Sequence, residues 1–162
     1  MATQAAKAVA EHRATVAQAL GCQPGEIYFT AGGTEADNLA ISGSIYGKKY
    51  RFRPRIVTTD SEHPAVTSTV NFAEAHGFEV IRLSTKGGII DDEELYSALT
   101  PETVLVSVMR VNNETGAIND INAIAKKVKE IAPRAVFHSD GVQAFLKISF
   151  FQHMRWGMFI VR

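Results

Sequence analysis

The apolar residues of this chain follow the period of amphipathic helices in five separate stretches. The clearest stretch comes after Asp120, where apolar residues at 121, 124, 125, 128 and 131 recur at the spacing of one helical face. Asp91 and Asp92 stand where a shorter helix is predicted to begin, and acidic residues stabilise that end of a helix. The pattern therefore predicts helices at about 3–20, 34–46, 65–75, 91–100 and 121–131.

Between these helices lie short stretches of the β-branched and aromatic residues that are typical of strands. The stretch 104–109 is almost continuously apolar, as expected for a strand that is buried on both faces of a parallel sheet. Because strands and helices alternate five times, we predict an α/β fold with three layers (α/β/α) and a mostly parallel sheet. The other strands are predicted at 26–30, 55–59, 78–83 and 135–140.

The composition limits the classes of function. The chain has 162 residues, 46% of them hydrophobic, which is enough for one domain with a substantial core. Lys and Arg together number 17, as do Asp and Glu, so we expect no nucleic-acid partner. Cys22 is the single cysteine, which fits a reducing compartment. Because no apolar run could span a bilayer and no secretory signal is evident, we expect a cytoplasmic location and no membrane partner.

Polar residues follow several of the predicted strands, and in a parallel sheet such residues meet at the edge where ligands bind. Gly32, Gly33 and Thr34 precede a predicted helix, where glycine backbone and free N–H groups favour a phosphate. The alternative is a plain turn with Thr34 as the N-cap. Asp140 ends the last predicted strand, and Gln143 follows it. The acid could keep a pyridine nitrogen protonated, or it could simply cap the next turn.

Two further motifs have equally plain alternatives. In the motif Glu62-His63-Pro64, the imidazole could stack on a flat ring or move a proton, or it could be a surface histidine at a turn. Asn112 and Asn113 could orient a ring oxygen or could form a turn. A metal site is a weaker alternative, because no spacing among the candidate ligands matches a compact set. Those candidates are Asp60, Glu62, His63, His138 and Asp140.

Four segments, in this order along the chain, resemble the motifs of cysteine desulfurases. They are TAGGTEADNLAISG (30–43), SEHPAV (61–66), VSVMRVNNETGAI (106–118) and FHSDGVQA (137–144). Cysteine desulfurases are enzymes of the class V aminotransferase group, so the resemblance implies a pyridoxal 5'-phosphate (PLP) cofactor and the large domain of PLP fold type I. The resemblance covers about residues 3–148, and the agreement of four motifs argues against a chance match.

By this resemblance, six residues take specific roles toward the cofactor. Gly33 and Thr34 match the pair that holds the phosphate, and Asp140 matches the partner of the pyridine nitrogen. His63 matches the histidine that stacks on the cofactor ring and assists proton transfer, which makes it the catalytic candidate. The set is completed by the family's cofactor-binding asparagine and by its donor to the ring hydroxyl oxygen, here Asn113 and Gln143.

The resemblance also implies a reaction. Sulfur would be removed from L-cysteine, leaving alanine and an enzyme-bound persulfide. That sulfur would supply iron–sulfur clusters or thiolated tRNA through a sulfur-acceptor protein, and full-length relatives are homodimers. A selenocysteine lyase or another class V enzyme is the nearest alternative, and a non-catalytic binding or dimerisation module is the alternative from a different class.

The chain departs from the family pattern at the groups that carry the chemistry. The family attaches its cofactor to a lysine in a Ser-Gly-His-Lys motif, which this sequence lacks. Lys147 is a poor substitute, because it lies too near the strand of Asp140, and Leu146 replaces a glycine of the family there. We interpret Cys22 as structural, since the family's nucleophilic cysteine lies far downstream. We therefore expect weak, non-covalent cofactor binding and little activity from the chain alone.

Residues 1–148 are accordingly predicted to form part of a PLP-binding large domain, with the small C-terminal domain absent. The segment 149–162 contains no acid and holds several large apolar residues without a clear period. This abrupt change suggests a truncation or a frameshift, which the other two reading frames past codon 148 would test. The apolar residues could instead bind another chain, or, as a weaker alternative, a membrane surface.

Overall fold

The computed structural model describes residues 2–148 and 157–160 of the chain. The five predicted helices are present in this described part, each within a few residues of its predicted bounds. The helices are α1 (Ala2–Leu20), α2 (Gly33–Tyr46), α3 (Pro64–Ala75), α4 (Asp92–Ala98) and α5 (Ile121–Ile131). The strands are β1 (Arg55–Thr59), β2 (Glu79–Leu83), β3 (Thr85–Lys86), β4 (Ile89–Ile90), β5 (Thr103–Ser107), β6 (Val136–Asp140) and β7 (Gly157–Ile160).

The main sheet has the strand order β2-β1-β5-β6-β7, and its neighbouring strands pair in parallel. Successive residues of a strand face opposite sides of the sheet, so Ile56 packs with α2 and α3 whereas Val57 packs with α4 and α5. The predicted three-layer fold with a mostly parallel sheet is therefore confirmed. β3 and β4 form a separate antiparallel hairpin around Gly87 and Gly88.

The burial of the elements follows their patterns. All five residues of β5 are buried, because helices cover both faces of the sheet at this strand. Asp120 caps α5 by accepting hydrogen bonds from the N–H groups of Asn122 and Ala123, at 3.2 Å each. By contrast, α1 is largely exposed along its 19 residues. Among the described residues, no helix combines the length and the apolar character needed to cross a membrane.

In the described structure, the strand predicted at 26–30 is not formed. A short 3-10 turn precedes this segment, and the carbonyl oxygen of Ile27 accepts a hydrogen bond from Arg13 Nε at 3.2 Å. The guanidinium of Arg13 also lies 5.3 Å from the centre of the Phe29 ring, and Tyr28 is 78% exposed. The Phe29 ring thus contacts α1, and Tyr28 faces solvent. The sequence predicted that a strand precedes the glycine motif of α2. In the described part of the chain, no strand precedes this motif.

The end of the chain contains a strand that its sequence did not predict. β7 pairs in parallel with β6 over Phe137 to Asp140 and extends the main sheet by one strand. A strand of four residues is too short to establish a hydrophobic period, so the pattern of 149–162 gave no sign of it. The other large apolar residues for which we predicted a binding role lie outside the described residues: Phe150, Phe151, Met154 and Trp156.

Candidate functional site

The loops after β1, β5 and β6 meet the beginning of α2 in one cleft, which has a volume of about 670 Å³. Parallel strands deliver their carboxyl ends to the same edge of a sheet, which is why residues far apart in the sequence converge here. All six residues that the sequence singled out line this cleft: Gly33, Thr34, His63, Asn113, Asp140 and Gln143.

The first turn of α2 forms the anion-binding part of the cleft. The helix begins at Gly33, and its N-cap, Gly32, has no side chain to accept hydrogen bonds from the first N–H groups. Glu35 turns back instead, and its carboxylate accepts from the Ala31 N–H at 2.6 Å. Thr34 is the second residue of the helix, so the alternative that made it the N-cap is wrong. Uncapped N–H groups at a helix start favour an anion.

Asp140 is one of the acids that line the cleft. It is the last residue of β6, is 6% exposed, and accepts a hydrogen bond from the Val142 N–H at 2.9 Å. Burial raises the pKa of this carboxyl above its ordinary value, and Asp37 adds to that effect, whereas the Val142 N–H, His138 and His63 oppose it. A positively charged partner in the cleft would stabilise the carboxylate and so offset its loss of hydration.

His63 is held by the helix that it caps. It is the N-cap of α3, and its Nδ1 accepts a hydrogen bond from the Ala65 N–H at 3.2 Å. In the neutral ring the proton is then carried by Nε2. The side chain is exposed and lines the cleft, so it has a fixed anchor and a free proton-bearing nitrogen.

The two adjacent asparagines have different environments. Asn112 is buried, and its amide nitrogen donates to the Ser61 carbonyl oxygen at 3.0 Å. Its Oδ1 accepts from the N–H groups of Glu114 and Thr115, at 2.9 Å each. It therefore forms the turn after β5 and ties it to the loop after β1. Asn113 is exposed and lines the cleft, so only Asn112 is committed to the turn.

Gln143 is oriented by a lysine. Lys147 Nζ donates to Gln143 Oε1 at 2.9 Å, which leaves the amide N–H groups of Gln143 as donors. Lys147 itself is not among the residues that line the cleft. This placement agrees with the prediction that Lys147 is a poor substitute for a cofactor-attaching lysine.

Cys22 does not line the cleft, and the described residues form no metal site. Cys22 lies just after α1, and the pKa of its thiol is raised, mainly by burial and also by Glu26, which disfavours the nucleophilic thiolate. Within residues 2–148 and 157–160, no group of three or more His, Cys, Asp or Glu side chains is placed to hold a metal ion.

The sequence and the fold of this chain both have known relatives. A family model described as "Aminotransferase class-V" matches residues 1–154. The chain belongs to this family. Among solved structures, a NifS-like protein superposes with a TM-score of 0.89 at 31% identity, covering 98% of this chain and 44% of that one. A structure described as SspA in complex with cysteine has a TM-score of 0.85 at 34% identity, covering 92% of this chain and 42% of that one.

Curated relatives of this class-V aminotransferase chain carry the name cysteine desulfurase IscS. The protein from Neisseria meningitidis serogroup C (strain 053442) is 42% identical over 146 residues, which are 90% of this chain and 35% of that protein. The protein from Clostridium botulinum (strain Hall) is 44% identical over 139 residues, which are 85% of this chain and 34% of that protein. The resemblance to cysteine desulfurases is confirmed, and the chain spans about a third of the length of these relatives.

A buried acid, Glu62, lies beside the cleft. The sequence suggested this residue only as a metal ligand. Glu62 is 8% exposed, and its Oε1 accepts from Thr59 Oγ1 at 2.9 Å and from the Met109 N–H at 2.8 Å. Its Oε2 has no hydrogen-bond partner among the described residues. Burial raises its pKa to about 8, with smaller contributions in the same direction from Asp140 and Asp37. Glu62 therefore keeps its proton at neutral pH.

Asp37 also lines the cleft and was missed at the sequence level. It is 1% exposed, and its Oδ1 lies 3.4 Å from His138 Nε2. A signal was available, because Asp37, Ala40 and Ile41 have the spacing of one helical face and are all buried. An acid at that position must face the sheet instead of solvent.

The hairpin of β3 and β4 braces the turn that carries Asn113. A smaller cavity of about 260 Å³ shares His63 and Asn113 with the cleft and is bounded by Gly88 of the hairpin. Thr115 Oγ1 donates to the Gly87 carbonyl oxygen at 2.9 Å, which joins the hairpin to this turn. The hairpin therefore lies in direct contact with the loop after β5.

Gly88→Ala is expected to destabilise the fold more than Gly87→Ala. Both glycines have positive φ (92° and 64°), so alanine at either position costs about 1 kcal/mol or more. A Cβ at Gly88 would also lie 2.8 Å from Thr115 Oγ1 and 3.0 Å from Ala117 Cβ, whereas a Cβ at Gly87 meets nothing within 4 Å. Urea unfolding should show a further loss of about 1–3 kcal/mol for Gly88→Ala. Equal losses would contradict this packing.

Proposed function

We propose that this chain holds the PLP-binding part of a cysteine desulfurase. The observation that carries the proposal is the presence of Thr34, His63 and Asp140 in one cleft, although they come from three different elements. PLP has three features that these groups suit. Its phosphate suits the uncapped start of α2, its flat ring suits the imidazole, and its basic ring nitrogen suits the carboxylate.

The donors and acceptors of the cleft suit PLP better than a simple anion. A phosphate ion alone would use the helix start but would leave Asp140 buried beside Asp37 without a positive partner. A protonated ring nitrogen supplies that partner, and the free amide N–H groups of Gln143 suit the ring hydroxyl oxygen. When bound, the ring of PLP withdraws electron density from a carbanion of the substrate.

We extend the proposal to the substrate by similarity. The SspA structure is described as a complex with cysteine, and the curated relatives are named cysteine desulfurases. L-cysteine is therefore the proposed substrate of the whole enzyme, which would be a homodimer that passes sulfur to an acceptor protein. His63, anchored through Nδ1, would move a proton through Nε2. A cytoplasmic location stays a prediction from composition.

The chain is expected to bind PLP reversibly, without covalent attachment. The sequence lacks the Ser-Gly-His-Lys motif, and Lys147 is engaged by Gln143 outside the lining of the cleft. Titration should show saturable binding, and dialysis should recover all of the cofactor. Treatment with borohydride should leave no cofactor mass on the protein. A reduced adduct that mass spectrometry maps to a lysine would contradict the non-covalent mode, and the absence of saturable binding would refute the proposed function.

A further inference from the structure

A buried polar cluster lies next to Asp140 on the same face of β6. His138 precedes Asp140 by two positions, so both side chains project from one side of the strand. The ring of His138 is fully buried, and its Nδ1 lies 2.8 Å from Ser107 Oγ on the neighbouring strand. Its Nε2 lies 3.4 Å from Asp37 Oδ1 on α2. We call Asp37, Ser107 and His138 the buried triad.

The contact between Asp37 and His138 is close without being a hydrogen bond. At 3.4 Å the two atoms are within ion-pair range, yet they are not aligned, so Asp37 Oδ1 and His138 Nε2 each lack a hydrogen-bond partner among the described residues. Because the two atoms are this close, a small movement of either side chain would form a hydrogen bond between Asp37 and His138. Burying two such groups unpaired is costly, whereas pairing them removes that cost.

The buried triad lies between the anion-binding start of α2 and the end of β6, which carries Asp140. Asp37 belongs to α2, whose first turn forms the anion-binding part, and it lines the cleft itself. Ser107 and His138 are paired in register on β5 and β6, and β6 ends at Asp140. Apolar residues would fill such a position at least as stably, so a polar triad here calls for a role beyond packing.

The charges around Asp140 indicate that role. Asp37 raises the pKa of the Asp140 carboxyl, and His138 and His63 lower it. Glu62, which is protonated at neutral pH, is the other acid near these groups. His138 Nε2 can donate to Asp37 while Nδ1 shares a hydrogen bond with the Ser107 hydroxyl. An Asp37 carboxylate engaged in this way repels Asp140 less, which favours the ionised form of Asp140.

We propose that the buried triad is a set of positioning residues, which hold Asp140 as an ionised acceptor for the ring nitrogen of the cofactor. This inference rests on the proposed function. His138 is the central residue, because it contacts both other members and shares its strand with Asp140. The triad itself does not touch the reacting atoms. Its effect is therefore specific to ligands that carry a ring nitrogen.

The test compares PLP with its 1-deaza analogue, in which a carbon replaces the ring nitrogen. We expect the wild-type chain to bind PLP about tenfold or more tightly than the analogue, as one charge-assisted hydrogen bond provides. His138→Asn should weaken PLP binding by about tenfold and leave the affinity for the analogue nearly unchanged. His76→Asn, at the exposed end of α3, is the matched control and should change neither affinity.

The outcomes separate this inference from the proposed function. Equal weakening of both ligands by His138→Asn would mean that the histidine only supports the fold, and it would overturn the inference, as would unchanged affinities. If His138→Asn does not fold, Ser107→Ala removes a single hydrogen bond and should reduce the preference for PLP by about threefold. An unchanged preference there would also overturn it. Failure of the wild-type chain to bind PLP would refute the proposed function itself.

Discussion

Asp140→Asn is expected to weaken the binding of PLP by about ten- to a hundredfold. The substitution keeps the size of the side chain but removes the negative charge that would accept a hydrogen bond from the protonated ring nitrogen. A hydrogen bond to a charged group contributes about 1.5–3 kcal/mol, and each 1.4 kcal/mol is a factor of ten in affinity. Equilibrium titration followed by the absorbance of the cofactor measures the change.

The control for this prediction is an acid outside the cleft. Asp92 begins α4, pairs with Lys127 at 2.5 Å, and does not line the cleft. Asp92→Asn should therefore leave the affinity for PLP unchanged. Inorganic phosphate should bind the wild type and Asp140→Asn equally, because the start of α2 is untouched. If Asp140→Asn retains wild-type affinity for PLP, the ring nitrogen does not contact this carboxylate.

Glu62→Gln is expected to remove most of a pH-dependent loss of stability. Burial raises the pKa of Glu62 to about 8 in the folded chain, from about 4.5 when exposed. Below pH 4.5 the acid is protonated in both states, so it contributes no pH dependence. Between these values the unfolded acid releases its proton while the folded one keeps it. Stability therefore falls as pH rises, by about 1.4 kcal/mol per pH unit, and levels off above pH 8.

The measurement is the free energy of unfolding in urea between pH 5 and pH 9. The wild type should lose on the order of 4 kcal/mol over this range through Glu62, whereas Glu62→Gln should lose much less. Its amide oxygen can still accept from Thr59 and Met109, so the substitution leaves those contacts in place. Glu114→Gln, an exposed glutamate of the neighbouring turn, is the control and should follow the wild type. Parallel profiles for wild type and Glu62→Gln would contradict the buried, protonated acid.

Much of the fold could be predicted because periodicity and strand burial are local signals. The apolar face after Asp120 and the continuous apolar run of β5 each identified an element correctly. The strand predicted at 26–30 failed because β-propensity requires a neighbouring strand, and here Arg13 supplies the contacts instead. The four-residue strand β7 could not be predicted, because it is too short to show a period and its pairing with β6 exists only in the folded chain.

The residues that line the cleft were easier to predict from the sequence than the buried polar residues next to it. Asp140 ends a strand and His63 lies in the loop after one, at the edge where a parallel sheet gathers ligand-binding groups. Glu62 was overlooked as a buried acid, because a loop acid is normally solvated. Its carboxylate instead accepts a hydrogen bond from the Met109 N–H, in the loop after β5. Asp37 and His138 form a contact across about a hundred positions, which no local pattern reveals.

A crystal structure of this chain with PLP tests the central claim most directly. We predict the phosphate at the first turn of α2 beside Thr34, the ring against His63, and the ring nitrogen within hydrogen-bond distance of Asp140. PLP bound elsewhere, or bound in this cleft with its ring nitrogen away from Asp140, would contradict the account.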